Sequence, residues 1–133
     1  MNTVLVEIVT PERKVYEEQA NMVIVTGLEG ELGILPNHIP FVTPLRIAPV
    51  TIKRDGKLDI IAVHGGFIEV RQNKIVILAE SAELERDINI ERAEAAKQRA
   101  EQRLGVARRD EIDFRRAELA LQRAMNRLKV KQH

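Results

Sequence analysis

The sequence predicts a two-part α+β chain, with an N-terminal antiparallel β-sandwich or flattened barrel over residues 1–86 and a C-terminal antiparallel α-helical hairpin over residues 87–133. Three observations support this prediction. Of the 7 glycines and 5 prolines, all except Gly105 precede Phe67, so turns are concentrated in the first part. That part contains short runs of β-branched residues, which favour strands. From Asp87 onward the chain is rich in Ala, Glu, Arg, Gln and Leu, which favour helices.

The β-rich runs of the first part follow one another at short, even intervals. They cover residues 4–9, 22–25, 50–53, 58–63, 66–70 and 74–78. Between the third and fourth runs, Asp55-Gly56 predicts a hairpin turn of type I′, because both central residues of that turn need a positive φ. Many short strands separated by turns are typical of a sandwich or a barrel.

The second part has two stretches with helical periodicity. Each is preceded by residues that can cap a helix N-terminus, namely Asp87 and Asn89 for the first stretch and Asp110 and Asp113 for the second. We expect the first helix to end near Leu104, with Gly105 as its stop, and the second to end near Lys131.

A stripe rich in alanine recurs at helical spacing in each stretch and predicts that the two helices pack closely as a hairpin. The two stripes are Ala93, Ala96, Ala100 and Ala107, and Ala117, Leu121, Ala124 and Leu128. An alanine methyl buries little apolar area, so a hairpin held by these contacts should be only marginally stable. Such a hairpin can open when another surface competes for it.

Charge and composition restrict the function. Residues 1–86 carry nine Lys and Arg against twelve Asp and Glu, whereas residues 87–133 carry twelve against eight, which suggests different partners for the two parts. The chain has no Cys, which excludes disulfides and thiolate chemistry, and aromatic residues make up 3%, which argues against base stacking. With no signal-peptide pattern and no apolar run of roughly 20 residues, we expect a soluble, cytoplasmic chain.

The histidines do not predict a metal or catalytic site. His38, His64 and His133 lack the spacing of metal ligands, so we expect no metal. The residues near His38 include no set of nucleophile and carboxylate, which favours a loop histidine that bonds nearby backbone groups. No catalytic triad or glycine-rich phosphate loop is present, so an enzymatic activity of its own is not predicted.

Three stretches resemble the epsilon-subunit family of bacterial F-type ATP synthases, in the form that carries a C-terminal helical hairpin. They are VTP at residues 9–11 with Val15-Tyr16 soon after, GELGILPNHIP at residues 30–40, and GGFIEV at residues 65–70. The second stretch is the most specific. Together with the hairpin, the resemblance covers nearly the whole chain in the family's order.

The resemblance implies a non-catalytic rotor subunit of the central stalk of a proton-translocating ATP synthase, peripheral to the cytoplasmic face of the bacterial plasma membrane. The implied partners are the gamma subunit, the c-ring subunits and the catalytic alpha and beta subunits. A folded hairpin would permit turnover, and a hairpin extended along gamma would block ATP hydrolysis. Implied contacts with the c ring are Glu29, Glu31 and His38, and those with an acidic segment of beta are Arg116, Arg123, Arg127 and Lys129.

Some members of that family bind ATP in the folded hairpin through the motif Ile/Leu-Asp-x-x-Arg-Ala. Residues 88–93 are a near copy, with Asn89 in place of Asp, and residues 112–117 are a full copy. Carried over by position, the site would contain Glu83, Ile88, Asn89, Arg92, Ala93, Arg99, Arg123 and Arg127. No cofactor is required, and ATP, with or without Mg, would be a regulatory ligand. Asn89 can still cap the helix, but the lost charge should weaken binding by about 1–3 kcal/mol if the Asp orders the arginines.

Two other functions stay open on the sequence alone. One is a standalone ATP-sensing module that joins no complex. The other is a basic module that binds nucleic acid through the hairpin, for which a positive balance of this size is thin support. The arginines also have a simpler interpretation as the solvated face of two amphipathic helices.

Overall fold

The computed structural model describes residues 2–106 and 110–132, and these confirm the predicted class of a β-sandwich followed by a helical hairpin. The strands are β1 (Val4–Val9), β2 (Lys14–Ala20), β3 (Met22–Gly27), β4 (Gly30–Ile34), β5 (Phe41–Arg54), β6 (Lys57–Val70), β7 (Lys74–Ala79) and β8 (Ala82–Leu84). A short 3₁₀ helix (Glu85–Asp87) leads into α1 (Ile90–Val106), which is followed by α2 (Glu111–Lys131).

The strands form one continuous sheet in the order β2-β1-β7-β6-β5-β3-β4, and β8 pairs with β6 beside this path. The sheet folds over a single core of Val, Ile, Leu and Ala side chains that come from β1 through β7. Its pairs are antiparallel except for β1 with β7, which run parallel. The predicted antiparallel sandwich is therefore confirmed with one parallel pairing that local patterns did not reveal.

β5 and β6 are longer than the sequence pattern indicated. Each spans 14 residues, because the predicted runs at 50–53, 58–63 and 66–70 belong to two strands that extend well beyond them. The first half of β5 was not predicted as strand because it contains Pro44 and Pro49, and proline is disfavoured inside sheets. The turn that joins the two strands has positive φ at Asp55 (48°) and Gly56 (75°), as a type I′ turn requires.

Gly66 lets β6 approach β7 closely. A Cβ at this position would lie 2.1 Å from the carbonyl oxygen of Leu78, and φ is +127°. No other residue fits such a site without moving the backbone, because both the distance and the φ exclude a side chain. Gly66 therefore allows β6 to continue as one strand past its close contact with β7.

Both helices begin at an Asx cap. Asn89 Oδ1 accepts a hydrogen bond from the backbone N–H of Arg92 (3.0 Å), so Asn89 rather than Asp87 caps α1. Asp110 Oδ1 accepts from the N–H groups of Ile112 (3.0 Å) and Asp113 (3.2 Å). The end of α1 was predicted wrongly, because the helix continues through Gly105 to Val106. A single glycine costs a helix only about 1 kcal/mol relative to Ala, so it does not enforce a stop.

The two helices pack through the predicted small residues. The buried alanines are Ala93, Ala100, Ala117 and Ala124, while Ala96, Leu121 and Leu128 are partly buried and Ala107 lies outside the described residues. Ile88, just before α1, packs with Val130 near the end of α2, which shows that the helices are antiparallel. α2 lies on β5 and β6, and Ala62 of β6 joins Ile88 and Val130 in a small second core.

Candidate functional site

The residues predicted to bind a nucleotide lie where the hairpin meets the sandwich. Glu83 is in β8, Ile88 and Asn89 precede α1, and the others lie on the helices: Arg92, Ala93, Arg99, Arg123 and Arg127. Ile88 and Ala93 are buried, so their side chains contribute to packing. Asn89 is exposed, and its side chain makes the helix cap described above.

Glu83 joins the sandwich to α2. Its Oε1 accepts hydrogen bonds from Nε of Arg127 and from Nε2 of His64, the latter at 3.0 Å. The hydrogen bond from His64, aided by that from Arg127, lowers the pKa of Glu83 below its ordinary value of 4.5, against the effect of partial burial, which raises it. Glu83 is therefore an ionised carboxylate at neutral pH whose charge Arg127 already compensates.

A second polar contact lies directly beside this ion pair. Asn126 Nδ2 donates to the carbonyl oxygen of Val63 (3.1 Å) and lies 3.4 Å from Nδ1 of His64. Both Asn126 and His64 are buried. The sequence analysis missed this role for the two residues. The available signal was weak: one polar residue at the end of an apolar strand run, and one Asn among helix formers.

In residues 2–106 and 110–132, the side-chain hydrogen bonds between the hairpin and the sandwich come from the end of α2. Besides Asn126 and Arg127, Lys131 contributes by donating from Nζ to the carbonyl oxygen of Glu85 (2.9 Å). Within the described chain, every side-chain hydrogen bond from α2 to the preceding strands and 3₁₀ helix comes from residues 126–131. These hydrogen bonds between the hairpin and the sandwich therefore come from about two turns of one helix.

The arginines of the two helices share a pattern. Four of them directly precede a buried alanine of the helix–helix contact, in the pairs Arg92-Ala93, Arg99-Ala100, Arg116-Ala117 and Arg123-Ala124. Two antiparallel helices are related by a two-fold axis perpendicular to the plane that contains them. Residues that directly precede a contact alanine on either helix therefore lie on the same face of the hairpin. These four arginines are therefore on one side of the hairpin, and Arg127, one turn after Arg123, follows them.

Most of this positive charge has no counterion. The side chains of Arg92, Arg99 and Arg123 form no hydrogen bond or ion pair with any residue of the described segments. Arg92 and Arg99 are exposed, and Arg123 is partly buried. Like charges along one side repel each other, so the folded hairpin presents a surface suited to an anion.

The two copies of the sequence motif have different structural contexts. In residues 88–93, Asn89 at the second position is the cap of α1. In residues 112–117, Asp113 at the same position is already inside α2, whose cap is Asp110. Only the first copy therefore places its second residue at the N-cap position of a helix, although the second copy matches the motif in full.

The residues predicted to contact the c ring lie at the β3–β4–β5 edge, but they are not brought together. Glu31 and Lys129 line one cavity of about 210 Å³ between β4 and α2. His38 lies in the following loop, where its Nδ1 is 2.8 Å from the carbonyl oxygen of Ile39, as expected for a histidine that bonds nearby backbone. Glu29 is an exposed residue of the turn that joins β3 and β4.

The same edge carries exposed apolar side chains that the sequence analysis did not single out. Ile39 is 79% exposed and Val42 65%, and Leu32 and Leu35 are exposed beside them. Together with His38, most of them border one shallow pocket. We call these four apolar residues the loop-edge patch. An apolar group of this kind marks an interaction surface.

Metal and membrane features are absent from the described residues. Across residues 2–106 and 110–132, no three His, Cys, Asp or Glu side chains come together as metal ligands would. No helix in the described residues is both long enough and apolar enough to cross a bilayer.

Comparison with known proteins assigns the fold to a family. Residues 3–85 match the family described as ATP synthase, Delta/Epsilon chain, beta-sandwich domain, and residues 86–132 match its long alpha-helix domain. The ATP synthase epsilon chain of Brevibacillus brevis is 60% identical over 105 residues, which cover 78% of this chain and 80% of that protein. The epsilon chain of Halalkalibacterium halodurans is 55% identical over 114 residues, or 86% of each chain.

Solved structures agree on the fold. A chain of the Euglena gracilis mitochondrial ATP synthase, in a structure of OSCP, F1 and the c-ring, superposes with a TM-score of 0.84 over 100% of this chain and 83% of its own length, at 21% identity. A chain from the central stalk and c-ring of the Tetrahymena thermophila mitochondrial enzyme gives 0.61 over 96% of both chains, at 12% identity.

The sandwich with its appended hairpin thus defines a class, and the chain belongs to the ATP synthase delta/epsilon chain family. Within that family the chain groups with the bacterial epsilon chains of F-type ATP synthase, to which it is 50–60% identical.

Proposed function

We propose that this chain is a non-catalytic rotor subunit of a proton-translocating F-type ATP synthase and that its hairpin is a regulatory switch. The observation that carries the switch is the attachment of the hairpin. It rests on the end of α2, through the Glu83–Arg127 ion pair, two further polar contacts and the small core of Ala62, Ile88 and Val130. Docking therefore depends on a few groups, several of them only partly buried, so a competing surface can detach the hairpin without unfolding the sandwich.

The sandwich anchors the chain in the rotor. Its partners are the gamma subunit, the c-ring subunits and the catalytic alpha and beta subunits, at the cytoplasmic face of the bacterial plasma membrane. Support comes from the family and from similar chains in structures of F1 with the c-ring and of a central stalk with the c-ring. The loop-edge patch, bordered by His38, supplies a surface for the c ring, since exposed apolar groups are typical of interfaces. Glu29 and Glu31, in the turn and strand that precede it, would contact the ring as well.

ATP binds the folded hairpin on its arginine side and stabilises docking. A triphosphate would neutralise Arg92, Arg99 and Arg123, which have no counterion among the described residues, through charge-assisted and often bidentate hydrogen bonds. A ligand that binds only the docked form shifts the equilibrium toward it by RT ln(1 + [L]/Kd). Arg127 is already paired with Glu83, so its contact with the phosphates requires it to share or leave that carboxylate.

The extended hairpin inhibits ATP hydrolysis. Arg116, Arg123, Arg127 and Lys129 then contact an acidic segment of the catalytic beta subunit, to which their positive charge steers them. In the docked form Arg127 is held by Glu83 and Arg123 is partly buried. Each of these two arginines has one contact in the docked form and a different contact, with the beta subunit, in the extended form. The two forms therefore exclude each other.

Truncation tests this division of labour. A chain that ends at Asp87 keeps every strand of the sandwich and lacks both helices. It should assemble into the ATP synthase and raise ATP hydrolysis by membranes, because the anchor remains and the inhibitory element is gone. The matched control is the full-length chain expressed in the same deletion background. Unchanged hydrolysis by an assembled enzyme would contradict the switch, and failure to assemble would contradict the anchor.

A further inference from the structure

One hydrogen-bonded chain of five groups crosses from the sandwich to α2. It runs from the carbonyl of Val63 through Asn126, His64 and Glu83 to Arg127. We propose that Asn126 is a positioning residue: it holds His64 in the tautomer that carries its hydrogen on Nε2, and His64 in turn holds Glu83 against Arg127. Through His64, Asn126 thereby orients Glu83, a candidate nucleotide-site residue that it does not touch, and Glu83 in turn holds Arg127.

The orientation of the Asn126 amide follows from Val63. A backbone carbonyl only accepts hydrogen bonds, so the Asn126 atom 3.1 Å from the Val63 oxygen must be the donor Nδ2. Asn126 is 4% exposed, so bulk solvent does not compete with Val63 for this amide. The amide is thus fixed with its NH₂ group toward β6.

The tautomer of His64 follows from that amide. The same NH₂ group lies 3.4 Å from Nδ1 of His64, and a donor in this place requires an Nδ1 without hydrogen. The ring hydrogen is then on Nε2, 3.0 Å from Oε1 of Glu83, where it is donated to the carboxylate. The side chain of His64 is inaccessible to solvent, so the protein alone sets this arrangement.

The consequence is a fixed register for α2. Oε1 of Glu83 receives both the His64 and the Arg127 hydrogen bonds, and Asn126 and Arg127 are neighbours on α2. α2 is therefore held at two adjacent points by two strands, β6 and β8. A slip of one helical turn moves a side chain by about 5.4 Å, which would break both contacts at once. Specific polar contacts of this kind favour one position of α2 on the sheet over other positions that would bury a similar apolar area.

The same contacts are part of docking. Undocking of α2 would separate Asn126 from the Val63 carbonyl and from His64, because Asn126 is on α2 and the other two residues are in β6. This part of the inference rests on the proposed switch, whereas the tautomer of His64 does not depend on it.

The tautomer can be measured on the full chain. Long-range ¹H–¹⁵N spectra separate the Nε2–H, Nδ1–H and doubly protonated forms of each histidine, and His38→Gln identifies one of the other two signals. At pH 7 we expect His64 in the Nε2–H form. An Nδ1–H or doubly protonated His64 in the unmodified chain would overturn the proposal without any variant being needed.

Two substitutions test the role of Asn126. Asn126→Leu removes the donor at similar volume, so only Glu83 then favours the Nε2–H form of His64, and part of the population should shift to the Nδ1–H form. Asn126→Asp places a carboxylate at Nδ1 while Glu83 remains at Nε2, so His64 should be protonated on both nitrogens at neutral pH. Met125→Leu, at an exposed neighbouring position, is the control and should leave the spectrum unchanged. An unchanged tautomer in Asn126→Leu would refute the positioning role.

Titration with ATP separates this inference from the proposed function. If both are right, Asn126→Leu should weaken ATP binding about tenfold, whereas Met125→Leu should not. An Nε2–H His64 in a chain that binds no ATP would remove the nucleotide site and leave the positioning role intact. ATP binding that persists unchanged in Asn126→Leu, with His64 released, would show that the nucleotide site does not depend on this chain of hydrogen bonds.

Discussion

Arg127 on α2 donates through Nε to Oε1 of Glu83 on β8, and this ion pair connects positions 44 residues apart in the sequence. It is partly buried, with 27% and 30% of the two side chains exposed. A buried His64 shares the carboxylate oxygen, which gives the pair a fixed geometry that an isolated surface ion pair lacks. Docking of the hairpin should therefore be sensitive to each of these groups.

Replacing Glu83 by Gln should loosen the hairpin and leave the sandwich folded. The neutral amide loses the attraction to Arg127, and solvent screening at this partly exposed site limits the loss to about 1 kcal/mol. Hydrogen exchange should show faster exchange of the amides in the last two turns of α2. Glu118→Gln, which removes the exposed Arg115–Glu118 pair of α2, is the matched control and should change those amides little. Equal effects of the two variants would contradict a special role for Glu83.

Docking should weaken in acid through Glu83. Its pKa is lower in the docked form than the ordinary value of 4.5, so its contribution is complete above pH 4.5 and disappears as the pH falls through the docked-state pKa. A fluorescent label on α2 should report undocking in that acid range and no change from this group between pH 5 and 8.

Other carboxyl groups also have lowered pKa values, notably Glu7 and Asp59 in the sandwich, so the probe must be local to the hairpin. In Glu83→Gln the acid transition of the label should vanish. Its persistence at the same pH would assign the transition to another group.

ATP affinity should depend on arginines of one side of the hairpin only. Arg92→Ala and Arg123→Ala each remove a charge-assisted hydrogen bond, which corresponds to about 1.5–3 kcal/mol, or a tenfold to hundredfold loss of affinity. Arg115→Ala is the control, because Arg115 lies on a different face of α2 from Arg116 and Arg123 and pairs with Glu118. Isothermal titration with MgATP distinguishes these outcomes. No binding by the unmodified chain at millimolar ATP would remove the nucleotide role and leave inhibition by the extended hairpin standing.

Asn89→Asp should have little effect on ATP affinity. The side chain of Asn89 caps α1 through the N–H of Arg92, and Asp caps a helix about as well as Asn. Isothermal titration of the unmodified chain and of Asn89→Asp with MgATP compares the two affinities. Tenfold tighter binding by Asn89→Asp would show that the carboxylate touches the ligand in addition to capping.

The loop-edge patch should be needed for assembly and not for folding. Ile39→Ser and Val42→Ser remove apolar side chains that are already solvent-exposed, so the thermal stability of the isolated chain should shift by less than about 0.5 kcal/mol. Co-purification with the membrane-bound ATP synthase should fall. Leu58→Ser, at a comparably exposed apolar position in β6 outside the patch, should co-purify normally. Normal assembly of all three variants would place the c-ring contact elsewhere.

Much of the fold could be predicted because its signals are local. The Asp55-Gly56 turn, the strand at Val4–Val9 and the caps Asn89 and Asp110 each depend on a few contiguous residues whose backbone preferences agree with the final structure. The predictions failed where a nonlocal partner overrode the local signal. The prolines of β5 lie inside a 14-residue strand, and only pairing with β6 and β3 stabilises a strand there.

The sequence by itself determined the division into sandwich and hairpin, the alanine stripes and the arginines beside them, because each of these is a periodic property of contiguous residues. Only the tertiary structure decided that Asn126 meets His64 and that Arg127 meets Glu83, contacts that join positions 62 and 44 residues apart. Helical periodicity fixes which residues share a face of α2, but the strand that this face contacts depends on how the helix docks. That docking is set by the shape of the assembled sheet, which no local pattern encodes.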